Sequence, residues 1–266
     1  MNFDVEIGSN RRVLVEVVLM SFRPSVLIAL FAVAVFCADV VAAAAPISQT
    51  AIDGVVAKLK ALRPDLPIEG AVAAPIAGMV AIELTGGNVL YASIDGRYLI
   101  AGDLFEVGDD LVNLAEKARD EKRRDLIAAV SLQDMAVFPA QGKRKAVITV
   151  FTDVDCTYCR KLHLEVPRMN QMGVEVRYLA YPRGGVDSPG YAKLVTAWCS
   201  ADRQEAITRM KRGEQVPAKT CDNPVAREYE LGHLAGLTGT PAIVLEDGRM
   251  LAGYVSAEEL GEVLGI

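Results

Sequence analysis

Apolar positions recur along the chain with changing rhythm, and each change marks an element. Over residues 48–62 the apolar side chains Ile52, Val55, Val56 and Leu59 fall at helical spacing, with Ser48 or Thr50 as cap and Pro64 and Pro67 as stops. Three strand-like runs follow, 72–84, 89–94 and 98–107, with Thr85-Gly86-Gly87-Asn88 and Asp95-Gly96 as hairpin turns. From Asp109 or Asp110 to about Ser131 the apolar face fades. Residues 116–125 are almost all charged, so this stretch predicts a solvated connecting helix held by i,i+4 pairs. A second series begins with a strand over 146–152 and a helix over 159–170, kinked or ended by Pro167. Next come a strand over 174–180 and a helical stretch over 188–212. A helix follows to Ala235, with Asn223 as N-cap and Pro224 at its first position. The chain closes with a strand over 242–245, the turn Asp247-Gly248, a strand over 250–254 and a helix over 257–264.

Residues 1–45 stand apart. Arg23 precedes an apolar run over 26–37, and small residues Ala42 to Ala45 follow. A positive region, an apolar region and an A-x-A cleavage zone describe a secretory signal peptide. Started at Met20 it has an ordinary length, which makes residues 1–19 an over-long gene start. The competing reading is an uncleaved membrane anchor, since 26–45 is nearly long enough to span; Asp39 and the alanine-rich end favour cleavage.

Length and charge narrow the picture. The chain has 266 residues, room for one large or two modest domains, and a net charge of -6, which disfavours nucleic acid as a partner. The charge run mixes both signs, as a solvated helix does. Cysteines number five; if Cys37 leaves with the leader, four remain, an even count that suits an oxidising compartment.

The candidate chemistry sits where the strand over 146–152 meets the next helix, at Cys156-Thr157-Tyr158-Cys159. A thiol at a helix N-terminus is made acidic by backbone N–H groups and the helix dipole, and the thiolate is the form that attacks disulfides. A lone C-x-x-C also fits half a zinc site. A tetrahedral site needs four ligands, and no second close pair accompanies this one, so redox chemistry is favoured. Downstream, Thr240-Pro241 stands just before an apolar strand, a position that suggests a cis peptide.

These segments resemble a known family. Phe151-Thr152-Asp153, the cysteine pair, Lys161-Leu162-His163, 176–183, Trp198-Cys199 and Thr238-Gly239-Thr240-Pro241-Ala242 are similar, in this order, to the periplasmic DsbC/DsbG disulfide isomerases, and closest to DsbC. The resemblance implies an α+β chain: a thioredoxin-like domain with a helical insertion over 132–266, preceded by a small α+β dimerisation domain over 46–107 and a linker helix over 108–131. A domain of about 60 residues is marginal alone, which favours a homodimer over a lid packed on the same chain.

The resemblance further implies a periplasmic thiol:disulfide isomerase and reductase that rearranges wrong disulfides in misfolded secreted proteins. Cys156, nearer the N-terminus and expected to be the more exposed, attacks to form a mixed disulfide; Cys159 resolves it. Thr157, Tyr158, Thr240 and Pro241 contact substrate or tune the turn, and Cys199 with Cys221 forms a structural disulfide, the alternative being a second redox pair. His163 acts as a proton relay or only in packing, and Asp155, a departure from the family pattern, opposes the thiolate if it points at the sulfur. The partners implied are a DsbD-type membrane thiol reductase and a second copy of the chain; no metal or cofactor is expected. Competing readings are a DsbG-like reductase of oxidised single cysteines, a dithiol oxidase, a largely non-catalytic periplasmic chaperone and a metal chaperone.

Overall fold

Helix α1, Gln49–Leu62, starts where its cap predicts: Ser48 Oγ accepts the Ala51 N–H at 3.3 Å. A computed structural model describes residues 46–266, so the expected signal peptide, its anchor alternative and Cys37 lie outside the described residues. Ile52 and Val55 of α1 pack with Val80, Ile82 and Ala92 onto a four-stranded antiparallel sheet. Its strands run in the order β1 (Ile68–Ala73), β2 (Met79–Leu84), β3 (Val89–Ser93) and β4 (Leu99–Ala101).

The single run expected over 72–84 is therefore two strands. Pro75, which cannot donate to a ladder, and Gly78, at φ +78, turn the chain between them. The run over 98–107 divides as well, into β4 and β5 (Phe105–Val107), and β5 pairs with a strand the sequence did not announce, β6 (Leu111–Asn113).

The linker departs further from expectation. Helix α2 spans Leu114–Ala128, not 109–131, and its cap is Asn113, whose side chain accepts the Glu116 N–H at 3.0 Å. It is not simply solvated, since Ala115 and Arg123 are buried and the helix packs on a strand of the second sheet. Arg123 explains how so charged a helix can dock. Its guanidinium pairs with Glu116 and Asp120, and its Nε donates to the Gly248 carbonyl at 2.9 Å. The contact is close enough that a Cβ on Gly248, at φ +91, would lie 1.8 Å from the Asp120 carbonyl oxygen.

The second sheet has five strands in the order β11-β10-β8-β9-β7. These are β7 (Ala136–Phe138), β8 (Ala146–Thr152), β9 (Val174–Ala180), β10 (Ala242–Leu245) and β11 (Met250–Ala252). Central β8, buried at every residue, runs parallel to β9 and antiparallel to β10. Helices α3 (Thr157–Met172) and α7 (Ala257–Leu264), with the insertion helices α4 (Pro189–Trp198), α5 (Arg203–Lys211) and α6 (Val225–Leu234), complete the layers. One core holds Ile148, Val150, Leu162, Met169, Tyr178 and Trp198; the other holds Phe151, Leu179, Leu237 and Val244. The whole is α+β, a thioredoxin-like sheet with the helical insertion between β9 and β10.

Local differences have local causes. Pro167 lies inside α3 without ending it, because Val166 and Met169 on either side are core residues, and the helix stops only at Gly173 in the left-handed conformation. The stretch over 188–212 breaks into α4 and α5 at Cys199, which caps α4. Asn223 stands one residue ahead of the cap and Pro224 occupies it, yet the Asn223 side chain still accepts the Val225 N–H at 3.2 Å. Cys199 and Cys221 are bonded, with Cα atoms 5.6 Å apart. Among the described residues no helix is long and apolar enough to cross a membrane.

Candidate active site

β8 delivers the chain to the surface end of the sheet, and a tight turn passes it into α3. Asp153, itself buried, holds that turn: its Oδ1 accepts the Asp155 N–H at 2.8 Å and its Oδ2 the Arg183 N–H at 3.0 Å. Arg160 ties the other side by donating Nε to the Val154 carbonyl at 2.9 Å. Cys156 then becomes the N-cap of α3, and its sulfur accepts the Cys159 N–H at 3.4 Å.

Both thiols are free, and both are buried, Cys156 at 2% exposure and Cys159 at 0%. Cys156 is the more exposed residue of the two, as expected, although only by a narrow margin. The residues between the two are the accessible ones, Thr157 exposed and Tyr158 at 62%. The Thr240–Pro241 peptide is cis, and the Thr240 carbonyl lies 3.3 Å from the Cys156 sulfur. Pro241 is buried beside it, and Thr240 Oγ1 is buried with no hydrogen-bond partner among the described residues.

The two thiols are driven apart electrostatically. The Cys159 thiol donates to Cys156 and holds its pKa down to about 5; burial opposes this, while the Cys159 N–H and the Arg183 charge assist it. The Thr240 carbonyl runs the other way, since it can accept a hydrogen only from the protonated thiol. Burial, joined by that same donation, pushes the Cys159 thiol far up. One sulfur is therefore an anion at neutral pH and the other its protonated neighbour.

Asp155 does not face the sulfur uncompensated. Its carboxylate meets Lys193 Nζ at 2.7 and 2.9 Å and Arg160 Nη2 at 3.4 Å. His163 is a packing residue in this arrangement. Its ring bonds the Tyr178 hydroxyl and Thr208 Oγ1, both at 3.0 Å, and burial takes its pKa down to about 3. Sequence reasoning gave no role to Asp153, Arg183 or Lys211, although Asp153 and Arg183 both belong to segments that carry the family resemblance. Lys211 stands in a polar helix with no pattern to single it out.

A thioredoxin-like sheet with an acidic thiol at the helix N-cap and a protonated partner behind it defines a thiol–disulfide oxidoreductase. Residues 132–265 match the thioredoxin-like domain, and residues 40–116 match the disulfide bond isomerase protein N-terminal domain. The thiol:disulfide interchange protein DsbC of Dickeya dadantii is 40% identical over 191 residues, 71% of this chain and 77% of that protein. DsbC of Escherichia coli is 38% identical over 192 residues, 72% of this chain and 78% of its own length. DsbC of Haemophilus influenzae is 34% identical over 187 residues, 70% and 79%. The chain belongs to the DsbC family of thiol:disulfide interchange proteins.

Proposed function

We propose that the chain rearranges wrong disulfides in secreted proteins of the periplasm, with Cys156 as attacking and Cys159 as resolving thiol. The observation that carries this reading is the split between the two sulfurs, one held ionised at the N-cap of α3 and the other kept protonated behind it. The Cys156 thiolate attacks a substrate disulfide, one substrate sulfur leaves, and a mixed disulfide forms. A free substrate thiol then attacks elsewhere and reshuffles the chain. If none does, Cys159 displaces the substrate in reduced form. Tyr158 and Thr157, exposed beside the pair, meet the substrate, and its backbone lies along Thr240 and Pro241.

The small domain, taken as 46–107 and joined by a linker over 108–131 to the catalytic domain over 132–266, pairs two copies of the chain. Support comes from the edge strand β4, exposed at all three residues, and from a run of exposed apolar side chains that includes Tyr98, Ile100, Phe105, Val107 and Leu111. A membrane thiol reductase of the DsbD type returns the pair to the dithiol form, and a cleaved signal peptide within residues 1–45 delivers the chain. Cys199–Cys221 serves as a structural bond.

Reactivation of ribonuclease with scrambled disulfides tests the central step. Recovery that disappears in Cys156→Ser and survives in part in Cys159→Ser is the expected outcome. Wild type that reduces small disulfides or sulfenic acids and yet recovers no ribonuclease activity makes the chain a reductase instead.

A further inference from the structure

Helix α5 ends in a lysine that the fold buries. Lys211 is 5% exposed, and its Nζ donates to Thr152 Oγ1 at 2.8 Å. It also lies 3.4 Å from the carbonyl oxygen of Cys159 and 3.5 Å from that of Asp153. These three groups are the end of β8, the turn, and the first turn of α3, so one ammonium from the helical insertion reaches the whole backbone segment that carries the cysteines. The charged or titratable groups facing it are Asp153, Cys156, Cys159, Arg160, His163 and Tyr178, whose ring centroid is 5.4 Å away. The Asp153 carboxylate is already engaged by Arg183 and the Asp155 N–H. Burial of an ammonium without a carboxylate contact is costly, and it draws the Lys211 pKa down to about 8, against the pull of both sulfurs.

We propose that Lys211 is a positioning residue for the resolving step: its buried positive charge, set behind Cys159, favours the Cys159 thiolate once Cys156 is tied up in a mixed disulfide. The inference rests on the assignment of Cys156 as attacker and Cys159 as resolver. Before attack, the Cys156 thiolate supplies a negative charge near Lys211. In the mixed disulfide Cys156 has none, and Cys159 is the sulfur left to ionise. Its ionisation restores the charge balance that the first attack removed. Cys159 then loses its proton and attacks the Cys156 sulfur. The Cys156–Cys159 bond forms as the Cys156–substrate bond breaks, and the departing substrate sulfur takes up a proton. Two thiols of the enzyme are oxidised and the substrate disulfide is reduced, so atoms and electrons balance with no further reagent.

The test is stopped-flow reaction of the reduced protein with a neutral dipyridyl disulfide, which releases one chromophoric thiopyridone on attack and a second on resolution. At pH 7, well above the Cys156 midpoint, the first phase of Lys211→Met stays within about twofold of wild type, because Cys156 remains ionised without the ammonium, while the second slows about tenfold and its pH midpoint rises by about one unit. Lys211→Arg, which keeps the charge, recovers most of the second phase. The folded double variant Thr152→Val, Lys211→Met removes the amine together with its hydroxyl partner and shows the same slow second phase, which separates charge from an orphaned hydroxyl. A second phase within about twofold of wild type in Lys211→Met, or Lys211→Arg as slow as Lys211→Met, overturns the proposal. The underlying assignment is read separately: Cys156→Ser loses both phases and Cys159→Ser only the second. A first phase retained in Cys156→Ser refutes that assignment whatever Lys211 does.

Discussion

The catalytic half of the chain carries two cysteine pairs whose settings are opposite. Cys156 caps the N-terminus of α3, where N–H groups and the positive end of the helix dipole stabilise a thiolate. Cys199 caps the C-terminus of α4, where the dipole and the free carbonyls disfavour one. The first pair is spaced by two residues and holds its sulfurs as free thiols; the second is 22 residues apart and bonded. Access runs against intuition, because Cys156 is buried while Cys221 is exposed. Exposure is therefore not what separates the free from the bonded sulfurs here. A disulfide yields when one of its sulfurs leaves as a stable thiolate, a form that the N-terminus of α3 stabilises at Cys156 and the C-terminus of α4 does not stabilise at Cys199.

The largest test of this contrast is the ionisation of Cys156. Its alkylation rate should rise with pH to a midpoint near 5 and then level, whereas a free cysteine is half ionised near 8.5. At pH 5 that separation amounts to roughly a thousandfold in thiolate fraction. The same difference bears on stability. Because the folded value is depressed, the reduced protein gains stability fully present above the unfolded value and loses it as pH falls through about 5. The oxidised protein has no such gain. A midpoint near 8.5 in pH-resolved alkylation would remove the electrostatic distinction between the pairs.

Next in size is the bonded pair. Cys199→Ala with Cys221→Ala should lower unfolding stability in urea by about 3 kcal/mol, as closing a loop of this length implies, and leave the Cys156 alkylation midpoint in place. A shifted midpoint would mean that the two pairs are coupled.

What the sequence could reveal follows from how local each cause is. The strand–turn–helix that holds Cys156 was legible because β8 is a continuous apolar run and the cysteines are adjacent to it in the chain. The Thr240–Pro241 loop was legible for the same reason, as a proline against an apolar strand. The linker was misread because its docking depends on one residue, Arg123, whose partner Gly248 is 125 positions away. Charge content suggested solvent, whereas two carboxylates on the same helix neutralise the buried guanidinium. Lys211 was invisible on the same grounds: its partners, Thr152 and Cys159, meet it only after the insertion folds back against α3. The spacing of His163 to Cys159 left a proton relay and a packing role both open; its ring nitrogens are taken by Tyr178 and Thr208, which is the packing role.

The smallest effect concerns Asp155, the carboxylate next to Cys156 in the chain. It is about one-third exposed, and Lys193 and Arg160 share its charge at the surface. Removing Lys193 leaves more negative potential beside Cys156, which disfavours the thiolate and raises its pKa. Solvent and salt screen charges in this position, so Lys193→Met should move the alkylation midpoint upward by less than about half a unit. The shift should shrink further in 1 M salt, where the Debye length is about 3 Å. A rise of more than one unit would show that Asp155 acts directly on the sulfur. The pair would then owe its acidity to a balance of surface charges as much as to its place at the N-terminus of α3.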